Sequence, residues 1–229
     1  MSGSSAGRRR PASSPDYARD VQQPLRVPPT APARLVVLAS GTGSLLRSLI
    51  DAAVGDYPAR VVAVGVDRDC GAVEIAKAAS LPIFAVRPAD YPSRDAWDVA
   101  ITEAAAAHSP DMIVSVGFMR ILGPQFLLRF SGRIVNTHPA LLPSFPGTHG
   151  VADALAHGVK VTGCTVHLVD AGTDTGPILA QQPVPVLDGD DEEILHERIK
   201  VVERRLLVDV VAAVATGGVT LVGRKATIG

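Results

Sequence analysis

Arg34-Leu35-Val36-Val37-Leu38-Ala39-Ser40-Gly41-Thr42-Gly43-Ser44-Leu45-Leu46 decides how the chain is read. Leu35 to Ala39 is an unbroken apolar run, so a strand there must be covered on both faces. Ser40-Gly41-Thr42-Gly43-Ser44 is too rich in glycine and serine to continue it and reads as a tight loop. Beyond it Leu45, Leu46, Leu49 and Ile50 recur at helical spacing. Strand, tight loop and helix in that order open an α/β domain.

The same unit repeats toward the C-terminus. Val61 to Val66 reads as a strand and Ala72 to Ala79 as a helix. Pro82 to Val86 is a short strand, and Arg94 to Ala107 an alanine-rich helix. Met112 to Val116 is a strand, a short helix covers Pro124 to Arg129, and Arg133 to Asn136 is the next strand. These alternations predict an open, doubly wound, mostly parallel sheet with helices on both faces, joined by right-handed crossovers. After His138 the pattern changes. Pro139 to Gly150 (PALLPSFPGTHG) is an ordered loop, and Val151 to His157 a short helix. Thr162 to Asp170 and Ile178 to Val186 form an antiparallel extension, the second strand lying near an edge because of Pro183 and Pro185. Asp190 with Glu193 reads as a capping box, opening a long amphipathic helix from Asp191 to about Thr216. Gly218 to Gly229 is either one more strand or a frayed tail.

Residues 1–33, rich in Ser, Pro and Arg and without periodicity, are expected to form a disordered leader. The domain proper then spans 34–217 and the tail 218–229. The whole chain has 229 residues, 47% hydrophobic and 20% charged, which is ordinary globular usage. With 22 Lys and Arg against 23 Asp and Glu, the formal net charge of −1 supplies no general field for nucleic acid or an anionic membrane. No apolar run is long enough to span a bilayer, and Arg8-Arg9-Arg10 has no apolar stretch behind it to make a secretory signal. Cys70 and Cys164, without a CxxC partner, fit a reducing compartment and read as small apolar fillers. The expectation is a cytoplasmic enzyme acting on small molecules, with neither nucleic acid nor membrane as partner, as a monomer or homodimer.

In an open α/β sheet, ligands bind outside the carboxyl ends of the strands. The Ser40–Ser44 loop opens a helix there, where free N–H groups and the helix dipole favour an anion such as phosphate. Neither familiar phosphate loop is complete, since Leu46 stands where GxGxxG needs glycine and no Gly-Lys pair follows. The loop is therefore either a phosphate cradle or a structural turn. Asn136-Thr137-His138-Pro139 sets an amide and an imidazole on one side of a strand end. Asn is a fixed donor for a developing oxyanion, and His moves protons near neutral pH. A satisfied polar pair is the plainer alternative. Asp174, in the Asp170–Pro177 loop, either orients His138 or caps its own turn. His196-Glu197 begins like HExxH, but Lys200 occupies the second histidine position, and His108, His149, His157 and His167 have no ligand spacing, so no metal is expected. Lys200 and Glu203, three apart on the long helix, read as a solvated pair.

The ordered set LASGTGSLL, SRDAWD, GFMRIL, NTHPALLPSFPG and VDAGTDTGPIL, across about residues 34 to 216, resembles the formyltetrahydrofolate-dependent formyl and hydroxymethyl transferases. The resemblance implies a Rossmann-like fold. It also implies formyl transfer from 10-formyltetrahydrofolate, as co-substrate, to the amine of glycinamide ribonucleotide in purine (IMP) synthesis, without a metal. It implies that Asn136, His138 and Asp174 surround the formyl carbon, with His138 as an imidazolium held by Asp174. Gly43, Ser44, Leu45 and Leu46 would hold the ribose phosphate. Where relatives carry Asn in this loop, the chain has Thr42 and Leu45. Arg94 matches a position near the folate glutamate tail, and Met119, Arg120, Ile121 and Leu122 match positions around the pterin. Glu203, paired with Lys200, matches a position at the glycinamide end.

Other readings stay open on the sequence alone. A tRNA-formylating relative would carry a further C-terminal domain, and a deformylase an N-terminal regulatory one. Asp67, after the second strand, is placed as a dinucleotide-binding enzyme would place its ribose ligand, although the third glycine is missing. A binding module without turnover is the remaining alternative.

Overall fold

Alternate residues of the first long strand face two different cores. The computed structural model describes residues 25–229. In it Leu35, Val37 and Ala39 of β2 (Ala33–Ala39) pack with helices α1 (Ser44–Ala52), α2 (Gly71–Ala78) and α6 (Glu192–Gly217), whereas Val36 and Leu38 pack with α3 (Arg94–Ala106) and α4 (Pro124–Arg129). All five side chains are essentially inaccessible to water. A strand apolar at every position is thus a strand with a helical layer on each face, as expected for this sheet.

Four further strands complete the parallel part: β3 (Ala59–Val66), β4 (Ile83–Ala85), β5 (Met112–Ser115) and β6 (Ile134–His138). The chain runs from β2 outward to β3 and β4, then returns past β2 to place β5 on its other side and β6 beyond. The reversal puts the switch point between β2 and β5. After α5 (Gly150–His157), β7 (Val161–Leu168) and β8 (Ile178–Pro185) pair antiparallel to β6 and to each other. This is the expected C-terminal extension.

Three details differ from the sequence reading. Gly218–Gly229 contributes two strands, β9 (Val219–Val222) and β10 (Lys225–Ile228), folded on each other as a hairpin. Leu25–Val27, placed by the sequence in the leader, is a strand (β1) lying antiparallel to β9, with Leu25 opposite Leu221. The driving force is apolar: Val219 and Leu221 are buried, and Val27 packs against the same core. Residues 1–24, the rest of that segment, lie outside the described residues. Although the sheet continues past β8, only Ile178 pairs with Lys225 of β10. The prolines of β8 therefore sit where no ladder N–H is demanded.

At the start of α6 the cap is Asp191, not Asp190: Asp191 Oδ1 accepts from the Ile194 N–H at 2.8 Å. Asp190 instead takes both arms of Arg198, at 2.6 and 2.7 Å, and is held down at about 2 chiefly by that bond. Among the described residues, no helix is long and apolar enough to cross a membrane.

Candidate active site

Because the chain leaves β2 and β5 in opposite directions, the loops that follow them part and leave a cavity of about 410 Å³ above the carboxyl ends. Gly41 to Leu45, Gly117 to Leu122, Asn136 to Pro139 and Gly172 to Asp174 line it, with His167, Lys200 and Glu203. The size is within the usual range for a small-molecule site.

One part of the cavity wall is the start of α1. Gly43, at φ +81°, is the residue before the helix, and no side chain caps it. The first intrahelical bond runs from the Arg47 N–H to the Gly43 carbonyl, at 2.9 Å. The N–H groups of Ser44, Leu45 and Leu46 therefore have no acceptor within the helix, and the dipole adds positive potential there. Ser44 and Leu45 line the cavity; Leu46 does not, because its side chain is fully buried in the core. Gly43 is required at this turn: a Cβ would lie 2.8 Å from Ala72 Cα and from Ile75 Cδ1.

On another part of the wall, Asn136, His138 and Asp174 come together. His138 is 3% exposed, and its Nε2 lies 2.7 Å from the Phe145 carbonyl. A carbonyl only accepts, so Nε2 carries a proton and Nδ1 faces Asp174 Oδ2 at 3.3 Å. Asp174, at φ +53°, accepts from the Gly147 N–H at 2.8 Å. Burial pushes His138 below the ordinary histidine range, and the Asp174 charge and Phe145 carbonyl only partly offset it. Desolvation thus works against the imidazolium that the resemblance implies, and the Asp174 carboxylate works for it. Burial acts on Asp174 in the raising direction, but His167, the Gly147 N–H and His138 together hold it below its usual value. Gly150 lets α5 approach this ring, since a Cβ there would come within 3.0 Å of His138 Nε2.

His167 completes the cluster and was not singled out in the sequence. It lies opposite Asn136 in the β6–β7 ladder. Its Nδ1 lies 2.9 Å from the Leu168 carbonyl, which requires a proton there. In the neutral ring Nε2 then accepts from Asn136 Nδ2, at 3.1 Å, and it also stands 3.6 Å from Asp174 Oδ1. The only signal was a pairing between distant strands, which local spacing cannot carry.

The part of the wall formed by Met119, Ile121 and Leu122 is apolar. Met119 and Ile121 are largely exposed, and Leu122 is buried. Arg120 turns its Nε to Asp67 Oδ2 at 2.6 Å. That carboxylate, also bonded by Arg68, is withdrawn from solvent and so is not free to take a ribose. Asp98 accepts from the Gly123 and Gln125 N–H groups at 3.1 and 2.8 Å, fixing the start of α4 behind this loop. Arg94 does not line the cavity; it is exposed, with its guanidinium 4.3 Å from the Trp97 ring centre.

Lys200 and Glu203 both reach the cavity but do not pair. Lys200 Nζ bonds Glu197 at 2.7 Å, while Glu203 is 5% exposed beside Thr137. Burial raises the Glu203 carboxyl, and Thr137, Lys200 and Arg204 only partly offset it. The expected solvated pair is broken because the α6 face bearing Glu203 is turned toward the core. Among the described residues, no group of His, Cys, Asp and Glu is arranged to hold a metal ion.

Comparison with known proteins agrees with this architecture. Residues 33–211 match the formyl transferase family. The phosphoribosylglycinamide formyltransferase of Mycobacterium tuberculosis is 83% identical over 209 residues, covering 91% of this chain and 97% of the relative. The enzyme of that name from Bacillus subtilis is 36% identical, covering 75% of this chain and 89% of its own. The crystal structure of glycinamide ribonucleotide transformylase 1 from Symbiobacterium toebii superposes with a TM-score of 0.83 at 42% identity, over 86% of this chain and 93% of that one. The chain thus belongs to the formyl transferase family, on the branch of the phosphoribosylglycinamide formyltransferases.

Proposed function

We propose that the chain transfers the formyl group of 10-formyltetrahydrofolate to the amine of glycinamide ribonucleotide, giving tetrahydrofolate and the formylated ribonucleotide for purine synthesis. One observation carries the reading: Asn136, His138 and Asp174 line one cavity together with a helix N-terminus suited to phosphate and apolar side chains suited to a pterin. The names of the relatives support formyl transfer to glycinamide ribonucleotide.

The N–H groups of Ser44, Leu45 and Leu46 receive the ribose phosphate. Lys200 and Glu203 flank the glycinamide end. Met119, Ile121 and Leu122 cover the pterin, and the Arg120 N–H groups not given to Asp67 offer it donors. Arg94, on the exposed start of α3, is left for the glutamate tail outside the cavity. Bound there, 10-formyltetrahydrofolate supplies an activated formyl carbon and a nitrogen that can leave.

The neutral amine attacks that carbon, and negative charge develops on the formyl oxygen. Asn136 meets it with the amide hydrogen not given to His167. A single such donor is worth about 10²–10³ in rate. The proton lost by the amine passes to the Asp174 carboxylate, directly or through one water. His138 starts neutral, so its Nδ1 lone pair shares that proton across the 3.3 Å contact. The Asp174–His138 pair then returns it to the departing folate nitrogen as the C–N bond breaks. Holding both substrates in one cavity supplies much of the remaining acceleration.

The test is to mix the protein with glycinamide ribonucleotide and 10-formyltetrahydrofolate, following folate absorbance and the mass of the ribonucleotide. Formylated ribonucleotide formed in step with tetrahydrofolate supports the reading. Tetrahydrofolate with free formate makes the protein a hydrolase instead.

A further inference from the structure

Asp67 closes β3 and does not line the cavity, yet it anchors the segment that does. Its side chain is wholly removed from solvent, while those of Arg68 and Arg120, which bond it at 3.0 and 2.6 Å, are 46% and 37% exposed. Burial alone would raise this carboxyl; Arg68, Ser40 and Arg120 outweigh it and hold it at about 2. Ser40, beside the same carboxylate, accepts the Met119 N–H at 3.0 Å. Two consecutive residues of the Gly117–Leu122 loop are thereby tied to one place, Arg120 directly and Met119 through Ser40. Ser40 is also the residue from which the Gly41–Gly43 loop departs.

We infer that Asp67 is a positioning residue for the folate-side wall: it fixes Met119 and Arg120 against the ends of β2 and β3, and so sets how tightly folate is held. The assignment rests on the folate reading of that wall given above. Arg120 has five N–H donors in a rigid fork, and only Nε has a partner among the described residues. With Nε locked on Asp67, the plane of the remaining donors is set before a ligand arrives, which lowers the ordering cost of binding. Freed from Asp67, a side chain this exposed returns to solvent, and Met119 loses the neighbour that orders its Ser40 acceptor. The cost then falls on folate and not on the phosphate end, where α1 supplies backbone donors of its own.

The experiment compares the parent with Asp67→Ala, Asp67→Asn, Arg120→Ala and the double variant Asp67→Ala/Arg120→Ala. Binding of tetrahydrofolate at equilibrium is measured with KM for each substrate and the melting temperature. The expected result is weaker tetrahydrofolate binding and a higher folate KM in Asp67→Ala, by about tenfold or more, as for a lost charge-assisted hydrogen bond. KM for the ribonucleotide changes by less than about twofold. Asp67→Asn, which keeps an acceptor in place, lies between, and it carries the comparison should the alanine variant not fold. Arg120→Ala adds little on the Asp67→Ala background, because Arg120 acts only while it is held. Equal changes in both KM values, or additive effects of the two substitutions, overturn the inference. A parent that binds tetrahydrofolate in an Asp67-dependent way but transfers no formyl group overturns the proposed reaction and leaves Asp67 in its role.

Discussion

Asn136 Nδ2 stands 3.1 Å from His167 Nε2 across the β6–β7 ladder, and the other nitrogen of that ring is committed to the Leu168 carbonyl. The tautomer that satisfies the carbonyl leaves Nε2 as an acceptor, which fixes which way the Asn136 amide faces. Asn136→Ala is expected to lower kcat by about 10²–10³, the usual loss for one oxyanion donor. His167→Ala leaves the amide in place but free to rotate, so kcat falls by a smaller factor, about tenfold. Steady-state kinetics on both variants checks the order; a larger loss in His167→Ala would mean that His167 itself handles the proton.

Burial lowers the His138 pKa below the ordinary 6.5 against the pull of Asp174. The unfolded chain therefore binds this proton more readily than the folded one. Stability from keeping the ring neutral is complete above 6.5 and is lost as pH falls toward the lowered folded value. NMR titration of the ring should give a midpoint below 6.5, with the acid limb of kcat following it. A midpoint above 6.5 would restore the resting imidazolium.

Glu203 is displaced in the opposite sense. Burial raises its carboxyl, so its contribution to stability is present below the ordinary value of 4.5 and is lost as pH rises through the folded value. Glu203→Gln keeps the shape and removes the charge. The variant is expected to gain on the order of 1 kcal/mol near neutral pH, or roughly 2–4 °C in melting temperature. It should raise KM for the ribonucleotide in exchange. Calorimetry at pH 4 and pH 7 checks this, since the gain should shrink at the lower pH.

Gly43 combines φ +81° with a neighbour 2.8 Å from any added Cβ. Gly43→Ala should destabilise the chain by about 1–3 kcal/mol. KM for the ribonucleotide should rise more than KM for folate, because the start of α1 must move. A variant with unchanged KM for the ribonucleotide would place the phosphate elsewhere.

The parallel core was legible because β2, β3 and β5 each carry an unbroken run without polar side chains (Leu35–Ala39, Val61–Val66 and Met112–Val114), the pattern of strands covered on both faces. Asn136 and His138 were legible because both lie at the end of one strand. Other features were hidden by distance along the chain. Nothing near Leu25 announces Leu221, and nothing near Asn136 announces His167, since both are cross-strand partners set by the finished sheet. The Lys200–Glu203 spacing suggested a pair, but spacing does not reveal which turn of α6 faces inward. Likewise His138 beside Asp174 suggested an imidazolium, because proximity of charge can be imagined from sequence and the degree of burial cannot.

The most direct measurement is transfer of a radiolabelled formyl group from 10-formyltetrahydrofolate in a single turnover, in the parent and in Asp174→Asn. Label is expected on glycinamide ribonucleotide in the parent. In the variant the rate should fall by about 10² or more, since an amide cannot accept the amine proton for relay to His138. Transfer at the parental rate in Asp174→Asn would contradict the proton path, and label appearing only as formate in the parent would contradict the reaction.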